Sequence, residues 1–307
     1  MSRSVAFALV VALSLGAVTV QAETATAAAT GDYQHEIEQW RAKRTANLTS
    51  PTGWLSLIGL EWLQEGANRI GSASDNDIVL KAGPAHLGVV TLAKDGALHI
   101  ALDEKAGATI DGKAVREATL IDDMHAGEAT PTTVAFGNAN FYVIERDGRK
   151  ALRVKDSDAE TRKDFVGIDY FPIDASWRVV ADWVPFAPPQ KLEIGSVIGT
   201  IDKVDVPGKA VFHRDGHTFE LLPYQEEPGG ELFFVLADRT SGKETYGAAR
   251  FLYAALPKDG KVVLDFNKAY NPPCAFTPFA TCPLAPPENR LDVAVTAGEK
   301  KYRGGHH

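Results

Sequence analysis

The chain has 307 residues, 45% hydrophobic and 23% charged, with a formal net charge of −8. That composition is the one of an ordinary soluble globular protein, and the length allows one large or two modest domains. A negative balance with no basic cluster excludes a nucleic-acid partner, because neutralising phosphates takes clustered Lys and Arg.

The chain opens on Arg3 and an apolar run, Val5 to Val20, followed by Val20-Gln21-Ala22 with small residues at the cleavage positions. This three-part pattern reads as a secretory leader over residues 1–22, cleaved after Ala22, with Ala25 or Ala27 as alternatives. An uncleaved anchor is the competing reading, but the apolar run is short for a span of roughly 20 residues. The expected location is therefore the periplasm or the exterior. No stable membrane span is expected after cleavage, since no later segment is apolar enough.

Residues 23–62 read as a small, polar spacer and a helix. In Tyr33 to Thr49, Ile37, Trp40 and Arg44 share one face, and Asp32 is placed to cap the first turn. The stretch Ser50 to Leu63 breaks the helix, and its two tryptophans are expected to pack the helix onto the first sheet. From residue 63 to 155 the helical period gives way to short β-rich runs broken by Asp-Gly and Gly-Asn, the pattern of antiparallel hairpins. The clearest of these surrounds Arg146-Asp147-Gly148. Residues 156–190 form a connecting segment, with a strand near Trp177 to Val184 and a break at Phe186 to Gln190. Residues 191–301 return to β pattern and form an antiparallel domain or open barrel. The fold class is all-β.

The stretch GANRIGSASDNDIVL with AHLGVVTL resembles a forkhead-associated domain. The resemblance implies a β-sandwich for residues 63–155. That family holds phosphothreonine with a Gly-Arg turn, a spaced Ser and a nearby His. Here Gly71 is followed by Ser72, and His86 lacks the Ser and Arg expected before it, so the cation that would meet the phosphate is missing. GWLSLIGLEWLQEGANRIGS, FVGIDYFPIDASWRV, SGKETYGAARFL and LDFNKAYNPPCAFTPFATCPLAPPENRL resemble the bacterial family catalogued as domain of unknown function 1684. Membership implies no particular chemistry.

The last of these motifs, Leu264 to Leu291, holds both cysteines and six of the seventeen prolines. Before it, Pro257-Lys258-Asp259-Gly260 marks a turn between two β runs. If Leu256 pairs with Lys261, Arg250 lies opposite Asn267, Tyr246 opposite Asn271, and Asp265 diagonally from Arg250. A one-residue slip removes Arg250 from that face. The cluster of Tyr246, Arg250, Asp265, Asn267, Tyr270 and Asn271 is a candidate site for a small polar ligand such as a carboxylate or sugar. A structural ion-pair patch collects the same residue types.

Cys274 and Cys282 in an exported chain are expected to form one disulfide across a proline-stiffened loop. The alternatives are a metal site completed by His213 and His217, or Cys274 as a nucleophile. No metal is assigned, and the terminal histidines, His306 and His307, read as a frayed end. Ser241 and Lys243 lack Ser-Lys hydrolase spacing. No phosphate loop, zinc-finger spacing or calcium loop occurs, so no cofactor is implied.

Three functions remain. One is an exported binding module for a small polar ligand or a cell-envelope component. The second is a hydrolase with Asp265 or Cys274 as its catalytic group. The third is a purely structural envelope protein.

Overall fold

The computed structural model describes residues 17–127 and 129–304, with side chains of the first helix from Gly31 onward. Residues 1–16, which carry most of the expected leader, and residues 305–307, with the last two histidines, lie outside the described residues. Among the described residues no helix is long and apolar enough to cross a membrane.

The protein is all-β with one long N-terminal helix, α1 (Ala17–Thr49). The helix begins well before the expected Asp32 cap. The preceding stretch is rich in alanine, the residue with the highest helix propensity, and carries the helix back through the expected spacer. Its docking partner also differs from the expectation. It lies on the C-terminal domain, where Glu36 meets Lys268, Arg44 pairs with Glu299 at 2.9 Å, and Leu48 packs with Ala275 and Phe276. The tryptophan segment after it becomes a 3-10 turn at Trp54–Ser56 and an edge strand of the first sheet.

The first domain contains β1 (Leu57–Trp62), β2 (Gly66–Gly71), β3 (Ile78–Val79), β4 (Gly88–Leu92), β5 (Leu98–Leu102) and β6 (Thr109–Ile110). It continues with β7 (Glu117–Thr119), β8 (Val134–Phe136), β9 (Ala139–Arg146) and β10 (Arg149–Asp156). They form two five-stranded sheets, ordered β1-β10-β9-β8-β6 and β3-β2-β4-β5-β7. One apolar core fills the space between them, including Ile70, Val90, Ile100, Phe141, Leu152 and Val154. The β9–β10 hairpin turns at Asp147-Gly148 with φ of 52° and 68°. Both values are left-handed, which is why Asp-Gly stands there and why the turn was legible in the sequence.

A short helix, α2 (Glu160–Lys163), follows. The second domain holds β11 (Arg178–Gly195), β12 (Ile201–Arg214), β13 (His217–Leu221), β14 (Leu232–Asp238), β15 (Arg250–Ala254), β16 (Lys261–Asp265) and β17 (Arg290–Leu291). It begins earlier than the expected residue 191. The proline stretch after Phe186 does not end the strand. It leaves a gap in the β11–β12 ladder between Pro185 and Gln190, because proline has no N–H to donate.

One sheet is ordered β13-β12-β11-β16 and the other β15-β14-β17. β14 is buried along its whole length. Leu232, Phe234 and Leu236 face one core, which also holds Leu252, Leu264 and Phe266. Phe233, Val235 and Ala237 face a second core with Phe251, Cys274 and Cys282. A strand covered on both faces reads as a continuous apolar run, and LFFVLAD is one.

Candidate functional site

The expected hairpin between β15 and β16 is not a ladder. β15 pairs with β14, placing Leu236 opposite Arg250. β16 pairs with β11, placing Arg178 opposite Asp265. The two strands share no ladder; Phe251 of β15 instead bridges Tyr270, beyond the end of β16. Arg250 therefore does not face Asn267, and Tyr246 does not face Asn271. The buried apolar run of β14 supplies a stronger partner for β15 than the half-exposed β16.

The six residues proposed from the sequence consequently lie in separate places. Arg250, 1% exposed, donates to Asp238 Oδ2 at 2.7 Å and to the carbonyls of Val295 and Ala297 at 3.0 and 2.5 Å. Asp238 Oδ1 accepts from the amide and hydroxyl of Thr240 at 2.8 and 2.7 Å. This is a buried ion pair that ties the C-terminal segment to β14 and β15. Asp265 Oδ1 accepts from the Tyr33 hydroxyl at 2.8 Å and from the Asn267 amide at 3.2 Å. Asn267 Nδ2 donates to the Asp174 carbonyl at 2.8 Å and Oδ1 accepts from the Asp174 amide at 3.0 Å. Burial, then the contact with Asp265, pushes the Tyr33 phenol well above its ordinary value, so it remains a donor. Asn271 donates to Glu299 and to the Lys300 carbonyl, each at 2.8 Å. Tyr246 donates to the Cys274 carbonyl at 3.2 Å. Tyr270 alone of the six lines the cavity described next.

The cysteines are buried side by side as free thiols, with the Cys274 amide donating to Cys282 Sγ at 3.2 Å. The hydrogen bond from Cys274, with burial added, pushes the Cys282 thiol far above its ordinary value. In the reduced pair Cys282 therefore carries no thiolate at neutral pH.

A cavity of about 610 Å³ opens between the end of α1, the outer face of the first domain and the C-terminal domain. Arg44, Arg146 and Arg153, none of them exposed, line it together. Its walls are aromatic: Trp54, Tyr224, Phe233, Phe251, Tyr253 and Tyr270. Asp202 and Glu226, both exposed, stand at its mouth. Strand alternation explains the placement. Leu152 and Val154 of β10 point into the sandwich core, so Arg153 points out, beside its cross-strand partner Tyr142. Arg146 leaves β9 on that same outer face. On β15 the same alternation separates Phe251, on this side, from Arg250, on the other.

The three arginines are not equivalent. Arg44 pairs with Glu299, and Arg146 with Asp123 at 2.9 Å. Arg153 is 3% exposed, its hydrogen bonds go to neutral hydroxyls, Thr281 at 3.1 Å and Tyr142 at 3.4 Å, and its guanidinium lies 5.3 Å from the Trp54 ring centre. Its Nε has no partner, and no carboxylate lies in ion-pair range among the described residues. A buried cation without a counter-ion is costly, and such groups are ordinarily paired. None of the three arginines stands out in the sequence as a site residue, although the alternation of the clearest hairpin already puts Arg146 and Arg153 on its non-core face. Elsewhere, Asp122, His125 and Glu145 bring ligand atoms within 4.8 Å of one another, but the Lys150 ammonium already bridges the two carboxylates.

Residues 163–300 match the model of a family described as "Protein of unknown function (DUF1684)". Over this segment the chain belongs to the DUF1684 family. The DUF1684 segment supplies Tyr224, Tyr253, Tyr270, Asp202 and Glu226 of the cavity, whereas all three arginines lie outside it. The uncharacterized protein from gene locus rrnAC0354 of Haloarcula marismortui, solved by solution NMR, is similar at 31% identity. The match covers 45% of this chain and 78% of that one, with a TM-score of 0.38. No curated protein matches the chain.

Proposed function

We propose that this is an exported protein that holds a small organic anion in the cavity between its two domains. The uncompensated charge of Arg153 carries the reading. A buried guanidinium that faces a cavity and lacks a carboxylate is suited to an anionic group arriving with a ligand. The cavity volume is within the range usual for small-molecule sites, and the aromatic walls suit an apolar body behind the charge. The hydrolase alternative gains little, because neither Asp265 nor Cys274 is on the cavity wall.

Calorimetric titration with a panel of small carboxylates, phosphate esters and neutral sugars tests the reading. At least one anion is expected to bind the wild type, and Arg153→Met is expected to weaken it by about tenfold or more, as for removal of a charged hydrogen-bond partner. A wild type that binds none of the anions, or a variant that binds them unchanged, overturns it.

Export and the disulfide belong to the same proposal. In an oxidising compartment the adjacent Cys274 and Cys282 are expected to close a bridge. Mass spectrometry of the natively purified protein, alkylated without reductant, is expected to show a chain starting at Glu23 and two unalkylated cysteines. Alkylation of both would contradict the bridge, and an intact Met1 would contradict the cleavage.

A further inference from the structure

The cavity is bipolar, and its polarity restricts the ligand further than an anion. Its less exposed lining is cationic. At the mouth, Asp202 and Glu226 flank Tyr224, and burial together with these two charges holds the Tyr224 phenol well above its ordinary value. Neither carboxylate is in ion-pair range of a Lys or Arg among the described residues. Glu226 accepts from the Tyr253 hydroxyl, and Asp202 stands unpaired on β12. The two ends are joined by stacked rings. The Arg44 guanidinium lies 4.6 Å from the Tyr270 ring centre, and that ring is 6.3 Å from Tyr253, whose hydroxyl reaches Glu226.

A free anion drawn to Arg153 must pass two negative charges at the mouth. An anion that carries a cation at its far end gains there what a simple anion loses. Arg153 forms no ion pair with either carboxylate although all three line the same cavity, so a ligand that meets both charges must bridge the space between them.

Resting on the anion-binding reading above, we propose that the ligand is a zwitterion with separated charges, its carboxylate at Arg153 and its ammonium at Asp202 and Glu226. Two sources share this chemistry, a short peptide and an ω-amino acid.

The test is calorimetric, with hexanoate, 6-aminohexanoate and trialanine titrated into the wild type, the double variant D202N/E226Q, and R153M. The wild type is expected to bind at least one of the two zwitterions about fivefold more tightly than hexanoate, the scale of partly exposed charge pairs. D202N/E226Q is expected to remove that preference while leaving hexanoate as tight or tighter, and R153M to weaken all three. Preference for trialanine alone identifies a peptide, and preference for 6-aminohexanoate alone an ω-amino acid. Hexanoate bound as tightly as both zwitterions, with R153M still weakening it, overturns this inference and leaves the anion site standing. A preference that survives in D202N/E226Q overturns it too. If none of the three binds, this inference falls, and the wider anion panel decides whether the anion site falls with it.

Discussion

Arg250→Met is expected to lower the unfolding free energy by about 3–5 kcal/mol, the usual cost of breaking a buried ion pair from one side. The Asp238 side chain has no exposed surface, so its charge cannot turn to water once the guanidinium is gone. The carbonyls of Val295 and Ala297 also lose their donor. The loss therefore falls on the packing of the last strand-like segment against β14 as well as on the pair itself. Urea unfolding read by tryptophan fluorescence measures it as a lower midpoint at unchanged slope. The double variant Arg250→Met, Asp238→Leu is expected to recover part of the loss, since replacing both partners leaves no isolated charge. A single-variant loss below about 1 kcal/mol would show that Asp238 is neutral or solvated in the folded state.

Arg153→Met is expected to act in the opposite direction. The free protein should gain stability, by about 1–2 kcal/mol, while anion binding is lost. Both arginines are buried, and Met replaces a similar length of aliphatic stem in each. The difference lies in the partner. Both leave Nε without a partner, but Arg250 is held by a carboxylate and two carbonyls, whereas Arg153 has two neutral hydroxyls and no carboxylate. Its desolvation is not offset within the chain, so removal relieves a cost, and the methionine packs beside Trp54. Paired urea unfolding of wild type and variant without ligand reads the sign directly. A loss comparable to that of Arg250→Met would make Arg153 a structural residue and remove the basis of the proposed site. The contrast also separates a binding protein from a purely structural one, because only a site kept for a ligand has reason to retain an unfavourable charge.

The sequence and the structure agree where interactions are local. The alternation of β9 and β10, the Asp147-Gly148 turn and the periodicity of Tyr33 to Thr49 all follow from neighbours a few residues apart. The candidate site was less legible. The six residues around Arg250 and Asp265 were grouped on the assumption that the strands flanking a strong turn pair with each other. In the protein β15 chose β14 and β16 chose β11, and the group dispersed. Strand pairing is decided by burial of whole faces across distant segments, which no local pattern reports.

The sequence by itself determined the fold class, the tight Asp-Gly turns, and which side of a regular strand a residue occupies. Backbone sterics and the periods of helix and strand settle these within a few residues. Only the tertiary structure decided which strands meet, that α1 docks on the C-terminal domain, and that Arg44, Arg146 and Arg153 converge on rings contributed by residues 224–270. That convergence depends on faces some seventy residues or more apart being buried together. Whether an arginine ends beside a carboxylate, as Arg250 does, or without one, as Arg153 does, is settled only when those faces close.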